Sequence, residues 1–200
     1  MWCSRSCLLL PCSTCSAFVS RAGPTALSQS IIIRKEVKHD HRIRSPNSSN
    51  VAKVMWALGE LGLEHQRTDV AGPFGQNREP AYLAMNPNGL IPVLVDGDDV
   101  LWESNAIFRY LAARYGDGKL WSSNAGERAR SDRWMDWGSL TFFLKVLTLM
   151  RSAEGAEREA AIAELIEPCA IIDAALGMHS FLAGDQLSIG DLGSGLTTTR

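Results

Sequence analysis

Three short stretches of this chain combine residue types that can hold or activate a charged ligand. Ser48-Ser49-Asn50 stands directly ahead of an apolar-periodic run beginning at Val51. A polar residue in that place caps a helix by accepting from a first-turn N–H, and the same helix end attracts an anion. Glu103-Ser104 opens a second helical pattern, where free backbone N–H groups suit a carboxylate. On residue type alone this pair reads as first-turn and capping residues. Pro92 follows Ile91 at the start of an apolar run, a position common for an edge-strand proline.

Two further patterns carry less. Cys12-x-x-Cys15 has the spacing of a dithiol redox pair, but that chemistry belongs at a strand-to-helix junction. The first such junction lies well downstream, at Ser48-Ser49-Asn50, and holds no cysteine. The pair therefore reads as fortuitous, which argues against a dithiol reductase. His39, His41, His65 and His179 show no metal-ligand spacing with cysteine or carboxylate partners, so no metal is expected.

The elements that must position these residues follow from periodicity. Val37–Arg44 is a weak strand candidate. Val51, Val54, Met55, Leu58 and Leu61 recur at helical spacing, and Gly62 falls where a left-handed C-terminal residue is wanted. His65–Val70 reads as a strand, Tyr82–Met85 as a short helical piece, and Val93–Val95 with Val100–Trp102 as a hairpin turning at Asp96-Gly97. A helix between the first two strands predicts that they pair in parallel, and the last two must be antiparallel. Ile107, Tyr110, Leu111 and Tyr115 mark a helix ended by Gly116. Ala125–Met150 and Glu157–Gly177 read as long helices, with Pro168 expected to kink or break the second near Glu167. Ser188-Ile189-Gly190-Asp191 has the form of a helix start.

This order is an α/β domain at 37–116, a linker at 117–124 and an all-α domain at 125–200. The 200 residues are 46% hydrophobic and 21% charged, enough apolar material for one or two packed domains. No apolar run reaches the length of a membrane span, and a net charge of -2 gives no pull toward nucleic acid or an anionic membrane. Residues 1–36 have a different composition. The first 35 residues carry four basic and no acidic side chains, with four of the five cysteines. They read as a leader or disordered extension, with an organelle transit peptide preferred to a secretory signal. Only Cys169 lies beyond them, so the folded part suits a reducing compartment.

Taken together, Asn47–Val54, Asn86-Pro87-Asn88-Gly89-Leu90-Ile91-Pro92-Val93, Trp102–Ile107 with Arg109–Ala112, and Leu187–Asp191 resemble the soluble glutathione S-transferases in order and spacing. The resemblance covers roughly three quarters of the chain. It implies a thioredoxin-like glutathione-binding domain followed by a helical domain that lines the second substrate's site. It also implies a homodimer, with glutathione as co-substrate, that conjugates the glutathione thiolate to a small electrophile in cytoplasmic detoxification. Location in a mitochondrion or other organelle is the alternative. A non-catalytic glutathione-transferase-like interaction module is the alternative function.

By resemblance to the serine-type classes, Ser48 is the catalytic residue, with Ser49 or Asn50 as alternatives. Ser49, Ile91, Pro92, Glu103 and Ser104 are implied as the glutathione-binding set, with a cis bond before Pro92. Ser104 would meet the γ-glutamyl carboxylate and Glu103 the ammonium. The chemistry asked of Ser48 is modest. A thiol near pKa 8.5 needs roughly 2.7 kcal/mol to fall by two units. A hydrogen bond to the charged form contributes about 1.5–3 kcal/mol and a helix N-terminus about 0.3–1 kcal/mol. Two departures stand out. Leu90 occupies a position where many relatives carry a basic residue for the glycine carboxylate. Ser188–Asp191 begins a central helix in the family, yet here it runs into Gly193, Gly195 and a threonine-rich end, so the helical domain at 125–200 is expected to be incomplete, without the family's last helices.

Overall fold

The computed structural model describes residues 30–34, 48–116 and 118–198. It contains a small mixed sheet with helices on it, followed by a helical region. Strands β1 (Ser30–Arg34), β2 (Gln66–Val70), β3 (Val93–Asp96) and β4 (Asp99–Trp102) lie in the order β2-β1-β3-β4. Helices α1 (Ser49–Glu60), α2 (Pro80–Leu83) and α3 (Ser104–Tyr115) connect or follow them.

The first strand departs from the sequence-based expectation. Val37–Arg44 lies outside the described residues, and β1 comes from Ser30–Arg34, inside the stretch read as a leader. β1 pairs parallel with β3 but antiparallel with β2, not parallel as expected. The parallel rule assumes that the connecting helix starts close to the end of the strand. Here thirteen residues separate Arg34 from Ser48, a reach of up to about 45 Å. The helix can then enter from either end of a strand only about 17 Å long.

Local signals hold better. Gly62 takes φ 63° and the Leu63 N–H returns to the Leu58 carbonyl at 2.9 Å, a left-handed helix stop. The hairpin pairs Val93 with Trp102 and Asp96 with Asp99 around Gly97 at φ 62°. Along β3 the side chains alternate as the pleat requires. Leu94 joins the main core with Val51, Val54 and Leu58 of α1 and Ile107, Phe108 and Leu111 of α3, whereas Val93 packs on the other side with Val70 and Tyr82.

Beyond α3 the chain forms α4 (Ala125–Trp137), a π-turn (Gly138–Phe142), α5 (Phe143–Arg151), α6 (Ala156–Met178) and α7 (Ile189–Thr198). The helix expected over Ala125–Met150 is thus present but carries a π-turn in its middle. α6 continues through Pro168 rather than breaking there. Proline removes one hydrogen bond, and the long helical runs on each side sustain the helix across it.

α7 uses two of its glycines for packing. Asp191 accepts from the Ser188 N–H at 2.9 Å and the Ser188 hydroxyl at 2.8 Å, forming the expected cap. A Cβ on Gly190 would stand 2.8 Å from the Ser131 carbonyl oxygen, and one on Gly193 would stand 2.7 Å from Met135 Cγ. These glycines let α7 lie against α4 and insert Ile189 and Leu192 into the main core. The aromatic residues of α4 and the π-turn are mostly core too: Trp134 and Phe142 are buried with Met135, and Trp137 stacks on Phe142.

Candidate functional site

The sequence-predicted residues meet at one end of the sheet. Because Val93 pairs with Trp102, Ile91-Pro92 ahead of β3 and Glu103-Ser104 after β4 leave the hairpin side by side. The Ser104 hydroxyl donates to Asn50 Oδ1 at 3.2 Å, which brings the first turn of α1 to the first turn of α3. Two helix N-termini therefore converge on this end, each carrying about half a positive charge.

Ser48 is the N-cap of α1. Its backbone is extended and its half-buried Oγ accepts from the Val51 N–H at 3.4 Å. Capping uses an acceptor lone pair, whereas activating a thiolate uses the hydroxyl proton. The two roles are compatible in one side chain. Ser49 is the first helical residue and half-buried, and Asn50 beside it is exposed.

The Ile91–Pro92 bond is cis. The turn before it is held by buried polar groups. The Leu90 carbonyl accepts from the Tyr82 hydroxyl at 2.7 Å and from Asn86 Nδ2 at 2.8 Å. Asn86 is buried, and its Oδ1 accepts from the Asn88 N–H at 3.1 Å. Gly89 sits at φ 61°, and Asn77 Nδ2 donates to its carbonyl at 2.9 Å. A Cβ on Gly89 would collide with the Asn77 carbonyl oxygen at 2.8 Å. Burial pushes the Tyr82 phenol up to about 12, so it remains a donor at neutral pH. Leu90 itself is exposed.

Glu103 is an outlier with a reason. It takes φ 72°, which for a residue with a Cβ costs of order 1–3 kcal/mol and commonly marks a functional site. That twist ends β4 and starts α3 without an intervening loop. It leaves Glu103 exposed while its neighbour Ser104 is buried.

Sequence reasoning missed several residues that hold this site. Asn86 and Tyr82 were legible only as parts of a turn and a short helix. Lys53 was passed over within the α1 stripe, yet it is 4% exposed. Its ammonium donates to Asn105 Oδ1 at 3.4 Å and Ser139 Oγ at 3.1 Å, and burial lowers its pKa to about 8. Among the described residues there is no group of side chains suited to hold a metal ion and no helix long and apolar enough to cross a membrane. Cys12 and Cys15 lie outside the described residues, as do His39 and His41.

A family model, sequence relatives and solved structures each include glutathione S-transferases. Residues 47–114 match the model of the glutathione S-transferase N-terminal domain. Glutathione S-transferase GstB of Escherichia coli K12 is 40% identical over 156 residues, covering 73% of this chain and 75% of the relative. Glutathione S-transferase 3 of Zea mays is 34% identical, covering 73% and 71%. In three dimensions, a theta class glutathione S-transferase from Xanthomonas axonopodis pv. citri, solved with glutathione bound, superposes with a TM-score of 0.68. It is 39% identical, and the match covers 85% of this chain and 80% of that one.

Proposed function

The chain belongs to the glutathione S-transferase family, and we propose that Ser48 activates the thiol of bound glutathione for attack on a small electrophile. The transferase activity and glutathione as co-substrate follow from the relatives. The roles of individual residues, the electrophile, the homodimer and a cytoplasmic location are parts of the proposal. One observation carries the Ser48 assignment. Its Oγ caps α1 through a lone pair, so the hydroxyl proton can point at an anion that also faces the helix N-terminus.

The mechanism needs no separate base. The α3 N-terminus and Ser104 receive the γ-glutamyl carboxylate, Glu103 pairs with the ammonium, and the backbone at Ile91 pairs with the cysteinyl part. A carboxylate at Ser104 accepts the hydrogen bond that its hydroxyl now donates to Asn50. Ser49, in the first turn of α1, adds a backbone N–H to the same field. The thiol proton passes to water, and with the thiolate stabilised by the Ser48 hydroxyl and the helix end, the sulfur lone pair attacks the electrophilic carbon. The leaving group departs with its electrons, or an addition product takes a proton from water. The protein supplies position and electrostatics, while the nucleophile belongs to the ligand.

Retention on immobilised glutathione, followed by a conjugation assay with a generic chloronitrobenzene, tests this reading. Retention with turnover supports it, and retention without turnover supports the interaction module instead. Light scattering tests the homodimer, with twice the chain mass expected.

A further inference from the structure

Lys53 is a buried cation that the proposed chemistry does not use. It lies on α1 one turn after Asn50, and the two side chains reach consecutive residues at the start of α3. Asn50 accepts from Ser104, and Lys53 donates to Asn105. The second contact continues into the helical region. Lys53 Nζ donates to Ser139 Oγ, and Asn105 Nδ2 donates to the same oxygen at 3.1 Å. Three elements thus close on one small polar triangle: α1, the first turn of α3, and the π-turn.

Packing alone does not account for this arrangement. A buried ammonium with only neutral partners is costly, and an apolar side chain of similar length fills the same space without desolvating a charge. Among the described residues no carboxylate pairs with Lys53, and burial alone shifts its pKa. The π-turn is likewise a locally unfavourable feature of the kind concentrated at functional sites, and it is the segment that presents Ser139.

We propose that Lys53 is a positioning residue for glutathione: by tying Asn105 to Ser139 it holds the first turn of α3, and therefore Ser104, in place against the N-terminus of α1. The inference rests on the reading of Ser104 as a glutathione contact. Lys53 acts through Ser104 and touches neither the thiol nor the electrophile. The helical region thereby helps to set affinity for a ligand held by the other domain.

The test uses the full chain and measures glutathione affinity by titration calorimetry together with KM and kcat. Lys53→Met should weaken glutathione binding about tenfold, on the scale of one lost hydrogen bond to a charged group. KM for the electrophile should stay within about twofold, and the melting temperature should not fall. Ser139→Ala, a milder change, should weaken glutathione binding about threefold. Combining Lys53→Met with Ser104→Ala should lose less than the product of the two single effects, because both act on the same contact. If wild type binds glutathione and Lys53→Met and Ser139→Ala bind it equally well, the inference is wrong and the proposed function stands. Effects that multiply fully also overturn it, since Lys53 then acts independently of Ser104. A wild-type chain that does not bind glutathione removes the proposed function and this inference together.

Discussion

The end of the sheet where α1 and α3 begin differs in kind from the hairpin formed by α5 and α6. At the first, each backbone placement has a named polar cause: Ser48 caps α1, Asn86 and Tyr82 hold the Leu90 carbonyl, and Ser104 bonds to Asn50. Along the second, Leu144, Met150, Ile162 and Ile166 are exposed, and Met178 is 74% exposed. Its polar contacts are mostly at the rim, such as Lys145 with Glu164 and Ala153 N–H with Glu157. A ligand with several fixed charges needs donors placed to within a fraction of an ångström. An apolar surface carries no such demand, so substitutions there are absorbed more easily.

The sharpest way to break this contrast is Asn86→Ala. It deletes three hydrogen bonds from a buried side chain and should cost about 3 kcal/mol, read as a fall in the urea midpoint. A loss below about 0.5 kcal/mol, the ordinary value for a surface change, would erase the distinction between the two regions.

A pH series sharpens it next. Burial lowers Lys53 to about 8 from 10.5, so between those values the unfolded chain binds more protons than the folded one. Stability from this group therefore rises with pH across that window, and the cost of the buried charge is fully present below it. Relative to Lys53→Met, which cancels the other titrating groups, wild type should gain about 2–3 kcal/mol between pH 7 and 10. Parallel curves for the two proteins would contradict the burial of a charged amine.

Gly190→Ala probes the tight seam between α7 and α4. Its Cβ would meet the Ser131 carbonyl oxygen at 2.8 Å, and overpacking of that sort costs about 1–3 kcal/mol. By contrast Ile166→Gln, on the exposed face of α6, should change stability by less than about 0.5 kcal/mol. Equal effects from the two would mean that α6 is as closely packed as α7.

What was legible in the sequence was local. Ser48 before Val51, Gly62 after Leu61, Asp96-Gly97 between two apolar runs and Ser188 before Asp191 each act within a few residues, and each appears in the structure as a cap, stop, turn or box. The failures were non-local. Which stretch supplies the strand between β2 and β3, and in which direction it runs, is decided by pairing across the sheet. Lys53 sits among Val51, Val54 and Ala57 on a helix whose buried face is wider than the stripe of apolar letters. The elements that bury that face, α3 and the π-turn at Lys53 and β3 and α7 at its apolar neighbours, lie far away in sequence. The packing role of Gly190 and Gly193 was not legible because their partners, Ser131 and Met135, lie on another helix.

The claim at the centre of this account is that Ser48 lowers the pKa of the glutathione thiol. Thiolate absorbance of the glutathione complex, followed against pH for wild type and Ser48→Ala, measures it directly. Ile91, Glu103 and Ser104 remain in the variant, so affinity should change little. The thiol pKa should rise by roughly one to two units, the value of a lost hydrogen bond to a charged group. Coincident titration curves would contradict the claim and transfer the role to Ser49, Asn50 or the helix N-terminus itself.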